Sequence, residues 1–283
     1  MKKTMEIAKI APQFTVTCGV TFAQTDYWFG HTTKDLKMNI IFPEDSSRSY
    51  PCIVWICGGA WLTLDRDAHL TYLSDLARTG FVVASIDYRT SNEAVWPAQL
   101  EDVKAAIRYL RAHADRYHID ADHIGTMGES AGGYLTVMSA LIGDDNKTFD
   151  KGEYLNYSSA VQAAVPWYPP CDLTKFPIVT ASDSTSSPES LLFGKNISMC
   201  KEAAAQLDAT NYITKDAPPF LIIHGTDDHT VPFEQGVMLH DKLAEANCDV
   251  TLLALEGADH ADIPFFQQEL WDIIAEFFHK HLD

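Results

Sequence analysis

The sequence predicts an α/β fold with a mostly parallel central sheet flanked by helices, and two observations carry that prediction. Short runs that are apolar almost throughout recur along the chain, and between them lie segments whose apolar residues have helical spacing. Strands covered on both faces read as continuous apolar runs, and strands alternating with helices cross over in one hand to build a parallel sheet.

The elements follow in order. Residues 14–42 read as two or three strands joined by polar turns, which suits an antiparallel edge. Residues 51–57 (PCIVWIC) form an apolar run closed by Gly58 and Gly59, and residues 81–88 (FVVASIDY) repeat the pattern. From Pro97 the apolar positions Leu100, Val103, Ala106, Ile107, Leu110, Ala114 and Tyr117 predict a helix. A strand-like piece at 124–127 precedes a helix-like piece at 134–142, and 161–167, 220–224 (FLIIH) and 250–255 (VTLLAL) read as further buried strands. Helices are expected at 233–246 and at 264–282, the latter through Phe266, Leu270, Ile273, Ile274, Phe277 and Phe278. Only 171–217 breaks the alternation, with a Ser/Thr-rich run at 180–188 and a helix near 200–207. A connection of that length is expected to be an insertion lying like a cap over the carboxyl edge of the sheet. No linker divides the chain, so residues 1–283 read as one domain.

Composition narrows the function. With 21 Lys+Arg against 39 Asp+Glu the net charge is −18, which repels phosphate backbones and argues against a nucleic-acid partner. No stretch approaches the roughly 18 apolar residues that span a bilayer, so no membrane role is expected. Glu6 and Lys9 interrupt the N-terminal segment where a secretory signal would need an apolar core, and the expected location is cytoplasmic. Cys18, Cys52, Cys57, Cys171, Cys200 and Cys248 are scattered without metal-like spacing, so free thiols and no metal or cofactor are expected.

The chemistry concentrates in Gly128-Glu129-Ser130-Ala131-Gly132, followed by Gly133, between a strand and a helix. In that setting G-x-S-x-G is a nucleophile elbow: the turn is so tight that side chains two residues either side of the serine would collide. The serine oxygen then stands at a helix N-terminus, whose N–H groups favour negative charge. A serine needs a base, and on this architecture the order is Ser, then an acid, then His. The strand at 220–224 is followed by Asp227 and Asp228, and the strand at 250–255 by His260. Asp228 is the favoured acid, one residue nearer Val231-Pro232, while Asp227 suits a turn cap. His224, at a strand end, suits the core, and His229 suits the solvent. After the strand at 51–57, the small residues Gly59 and Ala60 let the main chain approach an oxyanion, with the N–H of Ala131 as a partner donor.

On these residues the chain resembles the α/β-hydrolase superfamily in its carboxylesterase branch, from the strand at Leu36 to the last helix. It is similar to the feruloyl and acetylxylan esterase-like group and to the hormone-sensitive-lipase-like esterases. The matching stretches are Asp87-Tyr88-Arg89 with Trp96 through Asp102, residues 119–133 including Glu129 before the nucleophile, and residues 217–232. The resemblance gives Asp228 the acid role and His224 a structural one. It departs at Cys57, where such esterases carry a histidine that braces the oxyanion loop.

What the resemblance implies is acyl transfer to water. Ser130 attacks an ester, His260 moves the proton, Asp228 orients His260, and N–H groups of Gly59, Ala60 and Ala131 hold the oxyanion without a cofactor. Trp61, Trp167 and Tyr168, with Phe193 nearby, are expected as pocket walls. The expected partner is a small-molecule ester or an acylated oligosaccharide, with acetyl or feruloyl as the acyl group. An amidase of the same fold, such as a kynurenine-formamidase-like enzyme, is the rival, and a non-catalytic hydrolase-fold binding protein is the alternative from a different class. Oligomerisation through an edge strand or the last helix is left open.

Overall fold

The computed structural model describes residues 1–9, 12–144, 147–175 and 187–283. The chain runs β1 (Phe14–Tyr27), β2 (Thr32–Pro43), β3 (Tyr50–Ile56), α1 (Leu70–Arg78), β4 (Val82–Ile86), α2 (Ala98–Ala112), α3 (Ala114–Tyr117), β5 (Ile119–Glu129) and α4 (Ala131–Ile142). It continues with β6 (Ala163–Trp167), α5 (Pro188–Phe193), α6 (Lys201–Ala204), β7 (Phe220–Gly225), α7 (Phe233–Glu245), β8 (Val250–Leu255) and α8 (Gln268–Leu282). Among the described residues, eight strands form one sheet in the order β1-β2-β4-β3-β5-β6-β7-β8. β1, β2 and β4 pair antiparallel, and every later pairing is parallel, which is the α/β-hydrolase arrangement with its antiparallel edge.

Alternating side chains explain why the strands read as continuous apolar runs. On β3, Val54 and Ile56 join the core with α2, α4 and α7, while Ile53 and Trp55 join the opposite core with α1 and α8. Both faces are covered, so both sets of alternating residues are apolar. Each fully buried aliphatic side chain contributes about 1.5–3 kcal/mol through burial. Leu100, Val103, Ile107 and Leu110 place α2 on the first face, and Leu270, Trp271, Ile274 and Phe278 place α8 on the second.

Several element bounds differ from the sequence expectation. The helix expected from Pro97 to Tyr117 breaks at His113, which leaves helical dihedrals (φ −115°, ψ 23°) while its Nδ1–H takes the Tyr109 carbonyl at 2.8 Å. The last helix begins at Gln268, because Pro264 lies in a separate 3-10 turn, Ile263–Phe266, capped by Asp262. α1 was not anticipated, although Leu73, Leu76 and Ala77 carry a helical spacing and are buried.

Parallel pairing brings strand carboxyl ends together on one edge: Ile56 faces Gly128, Glu129 faces Trp167, and Gly225 faces Leu255. Part of 171–217 is tied to that edge. Trp96 N–H donates to Leu192 O at 2.7 Å, Tyr134 O–H to Leu207 O at 3.2 Å, and Gln235 Oε1 accepts from the N–H groups of Cys171 and Asp172. The helix expected near 200–207 is α6 followed by a 3-10 turn, Ala205–Leu207. Of the Ser/Thr-rich run at 180–188, residues 180–186 lie outside the described residues. Among the described residues no helix is long and apolar enough to cross a membrane.

Candidate active site

Ser130 sits between β5 and α4 with φ 52° and ψ −118°, a conformation that L-residues rarely adopt. The glycines around it follow from close backbone approach. A Cβ on Gly128 would lie 2.6 Å from the Ile56 carbonyl oxygen, and one on Gly132 would lie 2.0 Å from the same atom. Ser130 N–H donates to Trp167 O at 3.0 Å, which ties the turn to β6. The N–H of Ala131 is then the first of the unpaired donors at the N-terminus of α4.

Three residues from separate strand ends meet here. His260 Nε2 lies 3.0 Å from Ser130 Oγ, and its Nδ1 lies 2.7 Å from Asp228 Oδ2. The other oxygen of Asp228 accepts the N–H groups of Thr230 and Val231 at 2.8 and 2.7 Å. Burial opposes the charge of Asp228, but donors from His224, His260 and Val231 more than offset it and hold the carboxyl well below its usual value. A carboxylate accepts only, so His260 Nδ1 carries the hydrogen and Nε2 is left to accept from the serine. Such an arrangement can take a proton from a hydroxyl as that hydroxyl attacks an acyl carbon.

The competing residues fall elsewhere. Asp227 is exposed, its N–H held by Ala258 O at 3.1 Å. His229 is 81 % exposed at its side chain and faces Asp259. His224 is fully buried, with Nε2 2.9 Å from Val231 O and 3.4 Å from Asp228 Oδ2.

The loop after β3 turns through Gly59, Ala60 and Trp61 with φ values of 121°, 54° and 58°. A Cβ on Gly59 would lie 2.2 Å from Thr63 O, so only glycine fits. The N–H groups of Leu62 and Thr63 both donate to Gly59 O, which closes the turn. Gly58 N–H is committed to Glu129 Oε1 at 3.3 Å, so the donors next in line are those of Gly59 and Ala60.

The aromatic residues expected to wall a pocket need correction. Trp167 has no exposed surface, because Trp55, Phe265 and Trp271 enclose its indole. Trp61 is 2 % exposed and packs edge-on against Tyr134. Tyr168 is buried, with its ring centroid 4.4 Å from that of His260 and its O–H donating to Glu129 Oε2 at 2.8 Å. Hydrophobic core packing claims these rings, as it does most large aromatics at strand ends.

Sequence reasoning assigned no role to Glu129 and did not single out His69. His69, the residue before α1, places its Nε2 3.1 Å from Glu129 Oε1. The Cys57 thiol is 3.6 Å from the same oxygen, and Tyr88 O–H donates to Cys57 O at 3.0 Å. Burial first, then the neighbouring Glu129, pushes the Cys57 thiol up to about 12, so it is a protonated donor at neutral pH.

Comparison with known proteins agrees with the fold. The profile of the BD-FAE family matches residues 38–243. A probable carboxylic ester hydrolase, LipM of Mycobacterium tuberculosis, is 31 % identical over 225 residues, covering 79 % of this chain and 50 % of LipM. The chain thus spans about half the length of the curated relatives it matches. A truncated carbohydrate esterase from gut microbiota superposes with a TM-score of 0.83 at 31 % identity, covering 94 % of this chain and 95 % of that one. A bifunctional GH43-CE protein of Bacteroides eggerthii gives 0.83 at 29 % identity, over 95 % of this chain and 35 % of its own.

Proposed function

This chain belongs to the BD-FAE family of α/β-hydrolase esterases, and we propose that it is a serine carboxylesterase acting on short-chain or carbohydrate-linked esters, acetyl or feruloyl. The observation that carries this reading is His260 standing between Ser130 at 3.0 Å and Asp228 at 2.7 Å. Ser130 Oγ attacks the ester carbonyl as its proton passes to His260 Nε2. The N–H groups of Gly59, Ala60 and Ala131 hold the resulting oxyanion, and Asp228 stabilises the charged imidazole without taking its proton. His260 then gives that proton to the leaving alcohol. Water attacks the acyl-enzyme with His260 again as base, and collapse releases the acid and restores Ser130.

A structural neighbour described as a carbohydrate esterase supports an acylated oligosaccharide over other esters. Residues 171–175 and 187–217, the described parts of the 171–217 segment, act in this reading as a cap on the carboxyl edge of the sheet. Initial rates on p-nitrophenyl esters from acetate to decanoate, with methyl ferulate and acetylated xylo-oligosaccharides, test the proposal beside Ser130→Ala. Short esters and acetylated oligosaccharides are expected to turn over in the wild type only. Absence of turnover on every ester would overturn it and direct attention to formamides.

A further inference from the structure

The carboxylate of Glu129 is a point of convergence. Gly58 N–H, the His69 imidazole and the Cys57 thiol meet at Oε1, at 3.3, 3.1 and 3.6 Å, while Tyr168 O–H takes Oε2 at 2.8 Å. The groups come from three places, the oxyanion loop after β3, the segment before α1 and the end of β6, and meet Glu129 at the end of β5. A carboxylate facing His69 Nε2 can only accept, so the imidazole donates from that nitrogen. Its ring is held edge-on to Trp55 and stacked on Phe266, 5.6 and 5.3 Å away. Gly58 packs directly on the elbow: a Cβ there would lie 3.0 Å from Glu129 O and 3.3 Å from Ser130 Cβ. The Tyr168 ring lies against His260. One carboxylate therefore fixes the oxyanion loop on one side and the ring beside the base on the other.

We infer that Glu129 is a positioning residue for the oxyanion loop, and that His69 is the imidazole that holds it in a chain with cysteine at position 57. The inference rests on the serine-esterase reading above. An unpaired carboxylate beside the elbow would oppose the developing oxyanion. The donors around Glu129 compensate its charge and tie the carboxylate to the loop. Because the loop matters only when the oxyanion forms, its displacement lowers kcat and leaves ground-state binding almost untouched.

Three variants test this: Glu129→Gln removes the charge, His69→Phe keeps a ring between Trp55 and Phe266 without the donor, and His69→Gln keeps a donor. On p-nitrophenyl acetate, Glu129→Gln and His69→Phe are expected to lose kcat by about tenfold to a hundredfold, with KM held within about threefold. His69→Gln is expected to recover most of the loss. Affinity for a trifluoromethyl ketone, which forms a serine adduct with an oxyanion, should fall in step with kcat/KM at an unchanged melting temperature. Amide hydrogen exchange in peptides covering residues 57–63 should quicken in the first two variants only. Unchanged kcat and exchange, or a fall in kcat with undiminished ketone affinity, would overturn the inference, as would damage by His69→Gln equal to that by His69→Phe. If the wild type hydrolyses no ester, or Ser130→Ala equals it, the esterase reading fails instead. The exchange measurement then still decides whether Glu129 and His69 hold the loop.

Discussion

Two carboxylates on the same edge of the sheet, at the ends of strands separated by β6, are each paired with an imidazole. Asp228 follows β7 and meets His260 at 2.7 Å; Glu129 ends β5 and meets His69 at 3.1 Å. The two residues are equally buried, each 8 % exposed, and both carboxyls are held below their usual value because donors outweigh the opposing effect of burial. Burial and charge therefore do not distinguish them. What differs is the far side of each pair. Beyond Asp228–His260 stands the Ser130 hydroxyl at 3.0 Å, whereas His69 is wedged between Trp55 and Phe266 and its carboxylate reaches a backbone N–H. A carboxylate–imidazole pair does chemistry only when a reactive atom lies at its open end.

The comparison is broken most severely at the serine. Ser130→Ala is expected to lower kcat about 10³- to 10⁶-fold, leaving what binding and the oxyanion donors supply. Burst and steady-state kinetics on p-nitrophenyl acetate would check it, with the melting temperature unchanged. Next comes Asp228→Asn. An amide that donates toward His260 Nδ1 would favour the wrong tautomer, so kcat should fall about 10⁴-fold. The corresponding change at Glu129 should be far milder, because no proton moves through that pair. Equal losses from Asp228→Asn and Glu129→Gln would mean the two pairs are not different in kind.

The pair around Asp228 was legible in the sequence, and the pair around Glu129 was not. Ser130, Asp228 and His260 could be read because the elbow requires glycines at fixed offsets and the acid and base each follow a recognisable strand. The parallel sheet was equally legible, since strands such as β3 and β4 are apolar on both faces. His69 carries no such mark. It lies in a loop before a short helix that the sequence reading missed, and its partner is 60 residues away. Only the tertiary fold brings the two together. The aromatics failed for the opposite reason: Trp167 has the same composition signal whether it walls a pocket or fills a core, and packing around Trp55 and Trp271 decided for the core.

Acid sharpens the comparison less violently. The folded state holds the Asp228 carboxyl below its ordinary value of 3.8, so it favours the ionised form. The stability this lends is fully present above pH 3.8 and is lost as pH falls through the lower folded value. Urea midpoints of the wild type are therefore expected to drop on acidification below that point, and those of Asp228→Asn to drop less. Parallel curves would show that Asp228 is not held ionised by the fold.

The smallest effect falls on the Cys57 thiol, which reports on the charge of Glu129 directly. Burial is the larger cause of its high pKa and the carboxylate the second. Peptide mapping after a short iodoacetamide pulse at neutral pH should find Cys18, which is exposed, modified and Cys57 untouched. In Glu129→Gln the electrostatic cause is removed while burial stays, so Cys57 labelling should rise only modestly. A large rise would mean that the carboxylate, more than burial, keeps the thiol protonated. An unchanged rate together with unchanged exchange at 57–63 would leave Asp228 as the carboxylate that matters at this edge of the sheet.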